Sequence, residues 1–412
     1  MKFFFPDSQD QVDPSFDFVS EERSSERMRH RDDEYAHEVF ERPPFDGILV
    51  SKAVLDSGRY SLAQKHRMLR SGVRSFFRIA DPSLETMGDC GAFAYVREDV
   101  PPFSVSEVVE FYQTMGFDYG MSVDHIILGY EPTDQRVPED WISRQALTLK
   151  LAEEFLKRHS SMGANFTPIG VAQGWSPASY VASVLHLQKL GYQYLALGGM
   201  VGLKTVDILA CLREIKEVLR PGVSLHLLGI TRIESVQEFG DYGVTSIDST
   251  SPLRQAFKDM KDNYYAPDRT YTAIRVPQVE ANPQLVRLIK SGKVDQAEAQ
   301  RLEKSCLKIL GQFDRHEATV ADTVRELIEY ERLYEDRRTF EDIYRETLEN
   351  RPWNDCPCQI CKALGIHVML FRGAERNRRR GFHNLFVFYN KLQGKKAAQK
   401  VRAAARATTE TR

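Results

Sequence analysis

The sequence predicts an α/β protein: a (β/α)8 barrel of the TIM type, then a helical region and a basic C-terminal end. Two observations carry this. Eight short β-rich apolar runs occur within about 200 residues, separated by helix patterns and bounded by Gly and Pro, which implies parallel strands with crossover connections. The strand signal then stops near Ser251. A doubly wound open sheet is the alternative with the same alternation.

The strand candidates are Gly47–Ser51, Ser75–Ala80, Ala92–Val96, Tyr119–Ile127, Thr167–Gln173, Tyr194–Met200, Leu225–Ile230 and Ser246–Asp248. Helices are predicted over Ser104–Met115, Asp140–His159, Pro177–Leu190, Lys204–Leu219 and Ile233–Tyr242. The first opens with Ser104-Val105-Ser106-Glu107, a capping-box pattern. Beyond the barrel, Asn282–Leu310 and Glu317–Leu348 read as helical, with Asn282 as N-cap and Pro283 at the first helical position. The expected boundaries are an N-terminal extension over 1–44, a barrel over 45–270, a helical subdomain packing on it over 271–390, and a basic tail over 391–412.

Composition places the chain among soluble globular proteins. It has 412 residues, 42 % apolar and 28 % charged, with a formal net charge of −2. At about 150 residues per domain it holds one large domain or two to three ordinary ones. The longest apolar runs fall far short of the ~18–20 residues of a membrane span. The opening Met1-Lys2-Phe3-Phe4-Phe5-Pro6-Asp7 is too short and too acidic in its flank for a signal peptide, so a cytoplasmic location is expected. The near-zero charge hides an asymmetry. Arg372 to Arg412 holds 12 Lys and Arg against two Glu, a net of +10, which leaves −12 for the rest. Near-neutrality therefore does not argue against a nucleic-acid partner.

Three of the six cysteines lie within six residues, Cys356-Pro357-Cys358-Gln359-Ile360-Cys361. A disulfide framework would spread its cysteines, so the cluster reads as thiolate metal ligands. Cys90, Cys211 and Cys306 read as ordinary buried thiols. Tetrahedral zinc needs a fourth ligand, for which His383 and His367 compete. Four protein ligands would leave no open position, so the zinc is expected to be structural. The predicted fold class is thus a barrel with a helical, zinc-binding subdomain and a basic C-terminal end.

Polar or glycine-containing punctuation marks several strands: Asp89-Cys90-Gly91-Ala92-Phe93 precedes one, Ser122-Val123-Asp124-His125 lies within one, and Ala172-Gln173-Gly174-Trp175, Leu197-Gly198-Gly199-Met200 and Ser246-Ile247-Asp248-Ser249-Thr250 each end one. In a (β/α)8 barrel these ends form the catalytic face. Three carboxylates, an amide and a Gly-Gly pair there suit acid–base work, covalent attack at a sugar carbon, or metal binding.

In order along the chain, these segments resemble the tRNA-guanine transglycosylase superfamily. The correspondence runs from about Phe45 to Arg254, plus the Cys-x-Cys-x-x-Cys motif. Asp89-Cys90-Gly91-Ala92-Phe93 stands for the family's Asp-Ser-Gly-Gly-Phe, and Gly170-Val171-Ala172-Gln173-Gly174 for Gly-x-x-Gln-Gly. Gly198-Gly199 and Leu227-Leu228-Gly229 follow. Asp248-Ser249-Thr250-Ser251-Pro252-Leu253-Arg254 then stands for the nucleophile segment. The opening Phe3-Phe4-Phe5-Pro6-Asp7, Asp13-Pro14 and Phe45 to Ser51 look most like the DpdA-type branch, which puts 7-deazaguanine into DNA. About 50 residues follow the zinc cluster, little room for an added RNA-binding domain.

The resemblance implies a base exchange. Asp248 would be the nucleophile at C1′ and Asp89 the general acid, then base. Asp124, Gln173, Gly198 and Gly199 would read the base, and Phe93 and Leu228 would sandwich it. The incoming base would be 7-cyano-7-deazaguanine (preQ0), within a restriction-modification-like DNA-modification system that supplies other protein partners. The family's zinc spacing favours His383 over His367. Arg254, Arg372, Arg376, Arg378, Arg379 and Arg380 are candidates for backbone phosphates. Departures from the family pattern are Cys90 for Ser, Ala92 for Gly, His125-Ile126 after Asp124, Ser249 for Cys and Leu253 for Thr. They spare the two catalytic aspartates and bear on tRNA as the substrate. A tRNA-modifying enzyme, a non-catalytic nucleic-acid-binding paralogue and a metal-dependent barrel hydrolase are the other readings.

Overall fold

A computed structural model describes residues 1–410 except Ser8, Asp336 and Arg337; from residue 395 on, side chains are not described. Thr411, Arg412 and the side chains of the predicted basic tail therefore lie outside the described residues. The chain forms two compact units. The first comprises Met1–Gln9, Phe45–Thr250 and the chain from Lys391 on; the second comprises Asp10–Pro44 and Ser251–Asn390.

The first unit is a closed barrel of eight parallel strands, which excludes the open-sheet alternative. The strands are β1 (Lys2–Pro6), β2 (Gly47–Ser51), β3 (Glu85–Asp89), β4 (Tyr119–Met121), β5 (Thr167–Ala172), β6 (Tyr194–Leu197), β7 (Ser224–Leu227) and β8 (Val244–Asp248). Each pairs with its successor, and β1 closes the ring between β8 and β2, with Phe4 in register with both Asp248 and Gly47. Phe4, Leu49, Met87, Met121, Ile169, Val171 and Ala196 point inward and fill the barrel. Amphipathic helices cover the outside, among them Val105–Met115, capped by Ser104 with Glu107 as predicted, and Pro177–Leu190, capped by Ser176.

Three sequence expectations are corrected. The segment 1–44 is not a separate extension: Lys2–Pro6 is a barrel strand, while residues 10–44 join the second unit, as do residues 251–270. Ser75–Ala80 is not a strand, because Phe76 ends the helix Leu62–Phe76, which buries Met68, Val73 and Phe76 on one face. Ala92–Val96 is not a strand either; Ala92–Tyr95 is a 3-10 turn, and the strand is the preceding Glu85–Asp89. Its glycine and acidic ends masked it in the sequence. Gly88 is needed there because a Cβ would lie 2.4 Å from the Tyr112 ring.

The second unit is largely helical. Asn282–Leu310 divides into Pro283–Lys290 and Gln296–Asp314, and Glu317–Leu348 into Val320–Glu331 and Glu341–Asn350. Asn282 caps its helix as expected, its side chain accepting from the N–H groups of Gln284 and Leu285. The last helix begins at Gly373 and carries the arginine cluster apart from Arg372, which immediately precedes it.

That cluster is another correction. Arg372, Arg376, Arg379 and Arg380 are buried, not displayed to a phosphate backbone. Arg372 pairs with Glu303 at 2.6 Å and with Glu21, which also receives Arg376. Burial opposes the charge on Glu21, yet the two guanidiniums hold its carboxyl down at about 2. Arg379 pairs with Glu375 at 2.7 Å and donates to Asp13 O, while Arg380 donates to the carbonyls of Val368, Leu370 and Ala256. Half-buried Arg378 donates to Gln11 O. Arg376, Arg378 and Arg379 thereby pin residues 11–21 to the last helix. Removing one partner of a buried pair leaves an uncompensated charge, at a cost of about 3–5 kcal/mol. Glu21→Ala, which strips buried Arg376 of the carboxylate that pairs with it, is therefore expected to lower the thermal midpoint sharply, as thermal unfolding would show.

Candidate active site

The C-terminal ends of the barrel strands bring the predicted carboxylates together. Asp89 ends β3, Asp248 ends β8, and Asp124 follows β4 by three residues. Burial raises the Asp89 carboxyl to about 7, with the charges of Asp124 and Asp248 adding to the shift. The backbone N–H groups of Gly91 and Cys90 oppose it. The coupling shows that the three carboxylates share one electrostatic site.

Asp124 is 3 % exposed. An uncompensated carboxylate at such a position is costly, and burial indeed raises it. Gln173 Nε2 donates to its Oδ2 at 2.7 Å and the Cys90 thiol to its Oδ1 at 3.0 Å. Burial, reinforced by the charges of Asp124 and Asp89, holds Cys90 far above the usual thiol range, so it serves as a donor and not as a nucleophile. Tyr95 OH in turn lies 3.0 Å from Cys90 Sγ. Gln173 Oε1 accepts from Ile127 N–H at 3.2 Å, which fixes the amide orientation.

Gly198 and Gly199 lie beside this amide. A Cβ on Gly198 would fall 2.1 Å from Gln173 Nε2. Gly199 has φ +76°, and a Cβ there would fall 2.3 Å from Ile127 O. A side chain at Gly199 would be strained and meet backbone, and one at Gly198 would displace the Gln173 amide, so backbone approaches the site where a side chain would fill it. Phe93 is 55 % exposed. Leu228 is half-buried against the barrel core.

Asp248 is 7 % exposed. Its Oδ1 accepts from Gly229 N–H at 2.9 Å and lies 3.0 Å from His226 Nε2. His226 was missed in the sequence. Its signal was a lone histidine within the apolar run Leu225 to Leu228, at a position whose neighbours read as core. Arg254 is exposed on the helix Ser251–Lys258 in the second unit.

Also in the second unit, Cys356, Cys358, Cys361 and His383 place their ligand atoms within 4.8 Å of one another and could hold a metal ion. His383 Nε2 faces Tyr265 O at 2.8 Å, which turns Nδ1 toward the three sulfurs. His367 is not in the cluster. It lies against Phe18, its rings 5.8 Å apart, and burial lowers its imidazole to about 4.

With this geometry established, the chain compares closely with one curated protein. It is 52 % identical over 406 residues to a DNA-guanine transglycosylase of Salmonella montevideo, spanning 95 % of this chain and 97 % of the relative. The chain belongs to the DNA-guanine transglycosylase family. No family model matches it. The transglycosylase is a pentosyltransferase built on the barrel, and among its described residues no helix is long and apolar enough to cross a membrane.

The raised carboxyl of Asp89 has a consequence for stability. An unfolded aspartate titrates near 3.9, so the fold loses stability as pH rises from there through about 7. Asp89→Asn is expected to stabilise the transglycosylase at pH 8, by on the order of 2 kcal/mol, and to be neutral near pH 4. Thermal unfolding at the two pH values checks the sign.

Proposed function

We propose that the protein replaces guanine in DNA with a 7-deazaguanine, preQ0, through a covalent aspartyl–sugar intermediate. The observation that carries this is the contrast between two carboxylates at one barrel mouth. Asp248 is held by donors at one oxygen, whereas Asp89 sits at about 7, where it can give or take a proton at neutral pH.

Asp248 attacks C1′ of the deoxyguanosine. The C1′–oxygen bond forms, the glycosidic bond breaks, and its electron pair leaves with guanine, which takes the Asp89 proton. Asp89 is then a carboxylate. It accepts the N9 proton of the incoming base as that nitrogen attacks C1′ and Asp248 departs. Asp124 and Gln173 read the guanine edge, with Gly198 and Gly199 giving the base close access to backbone. Exposed Phe93 and half-buried Leu228 offer apolar faces to the base. The target base must leave the helical stack, at a cost of a few kcal/mol. Arg254 remains the exposed candidate for a backbone phosphate.

The metal is proposed to be structural zinc. Zinc bonds of about 2.3 Å to sulfur and 2.0–2.1 Å to nitrogen in a tetrahedron separate the two ligand types by about 3.5 Å. The Sγ–Nδ1 distances here are 3.5, 3.5 and 3.3 Å. Zinc would tie Cys356, Cys358 and Cys361 to the last helix through His383.

The test is to incubate the protein with labelled preQ0 and either duplex DNA or tRNA, then digest to nucleosides and look for a denaturation-resistant protein–nucleic acid adduct. Label and adduct with DNA are expected. Label in tRNA alone would transfer the chemistry to tRNA, and neither label nor adduct would reject it. The first half-reaction, followed as guanine release in a single turnover, is expected to slow as pH rises through about 7, because Asp89 loses the proton it must donate.

A further inference from the structure

A polar file runs along the barrel and ends on Asp248. Tyr194, the first residue of β6, hydrogen-bonds Ser246 Oγ. Ser246 Oγ lies 2.6 Å from His226 Nδ1, and His226 Nε2 lies 3.0 Å from Asp248 Oδ1. His226 and Ser246 are both fully buried.

The donor and acceptor roles follow from the carboxylate end of the file. The carboxylate can only accept, so Nε2 carries the imidazole hydrogen and donates to it; Nδ1 then accepts from the Ser246 hydroxyl, whose oxygen is left to accept from Tyr194. Each group in the file fixes the orientation of the next, as a hydrogen bond at one ring nitrogen fixes which nitrogen of a histidine carries the proton.

We infer that His226 is a positioning residue that selects Oδ2 of Asp248 as the attacking atom. It rests on Asp248 being the nucleophile, as proposed above. His226 and Gly229 N–H both act on Oδ1, and no donor among the described residues reaches Oδ2. Two donors on one oxygen lock the carboxylate's rotation. The free oxygen is thereby held toward the mouth, where the sugar must arrive. The donors remain on Oδ1 once Oδ2 is esterified, and they take up the charge that returns to the carboxylate when the incoming base displaces it.

A histidine kept only to fill the core would be replaceable by an apolar residue of similar volume without loss of rate. His226→Leu removes the donor. His226→Gln keeps an N–H near the position of Nε2. Ser246→Ala keeps the imidazole but removes the group that fixes its tautomer. With guanine-containing duplex DNA, His226→Leu is expected to slow single-turnover adduct formation about a hundredfold, the scale of a misplaced reacting group. DNA affinity is expected to stay within about twofold, since only orientation at the reacting atom is lost. His226→Gln is expected to recover to within about tenfold of the parent, and Ser246→Ala to lose about tenfold.

A His226→Leu protein as fast as the parent, a His226→Gln protein no faster than His226→Leu, or an affinity falling in step with rate would overturn the inference. Should His226→Leu fail to fold, Ser246→Ala decides: parental rate rejects the role. Asp248→Asn run alongside keeps the two claims apart. An adduct surviving that substitution removes the nucleophile itself, whereas its loss together with an unaffected His226→Leu rejects the positioning role alone.

Discussion

Asp248→Asn is expected to abolish both the denaturation-resistant adduct and base exchange, by at least about 10⁴-fold, the loss typical of removing a covalent nucleophile. The substitution is nearly isosteric. The asparagine oxygen can still accept from Gly229 N–H and His226 Nε2 in the place of Oδ1, so barrel packing should be preserved. An amide lacks the anionic oxygen that forms the ester. The charge of Asp248 also helps to raise Asp89, so removing it should lower the Asp89 carboxyl from about 7. The variant's residual DNA binding is expected to be near parental. Denaturing gels of the trapped complex measure the adduct, and its persistence would refute the assignment.

Metal loss is expected to have the second largest effect, on stability. A structural zinc site contributes about 10–16 kcal/mol of apparent binding free energy near pH 7, comparable to the whole stability of an ordinary domain, about 5–15 kcal/mol. The cluster joins the Cys356–Cys361 segment to the helix carrying His383, where Tyr264 stacks on the imidazole with centroids 4.0 Å apart. A strong chelator, or Cys361→Ser, is therefore expected to unfold the second unit. One equivalent of zinc by atomic spectroscopy, and activity lost only in step with the helical circular-dichroism signal, are the expected results. Activity lost while that signal is intact would make the metal catalytic.

The site was more legible than the scaffold. Asp89, Asp124, Gln173, Gly198, Gly199 and Asp248 could be named because polar groups and paired glycines interrupt apolar runs, but only the fold puts Asp89 at the end of a strand and not before one. The strands themselves were harder. Glu85–Asp89 contains Gly88, required by Tyr112 outside the barrel, so its local pattern hides its role. Lys2–Pro6 buries three phenylalanines, yet nothing local shows that it completes a ring whose neighbours in sequence lie some 40 and 240 residues away. The arginine cluster failed for the opposite reason. Charge is visible in a sequence, but its partners Glu21 and Asp13 are about 350 residues distant, and only the fold shows that the charges are buried and answered.

By itself, the sequence determined the alternation of strand and helix, the carboxylates that break the apolar runs and the thiolate cluster, because these depend on local periodicity and residue chemistry. Tertiary structure alone decided that β1 closes the barrel, that Tyr265 O turns His383 toward the three sulfurs, that the arginines are internal ties, and that His226 lies against Asp248. Each of these is a contact between distant segments. Its free energy depends on burial and hydrogen-bond geometry, which no single stretch of chain contains.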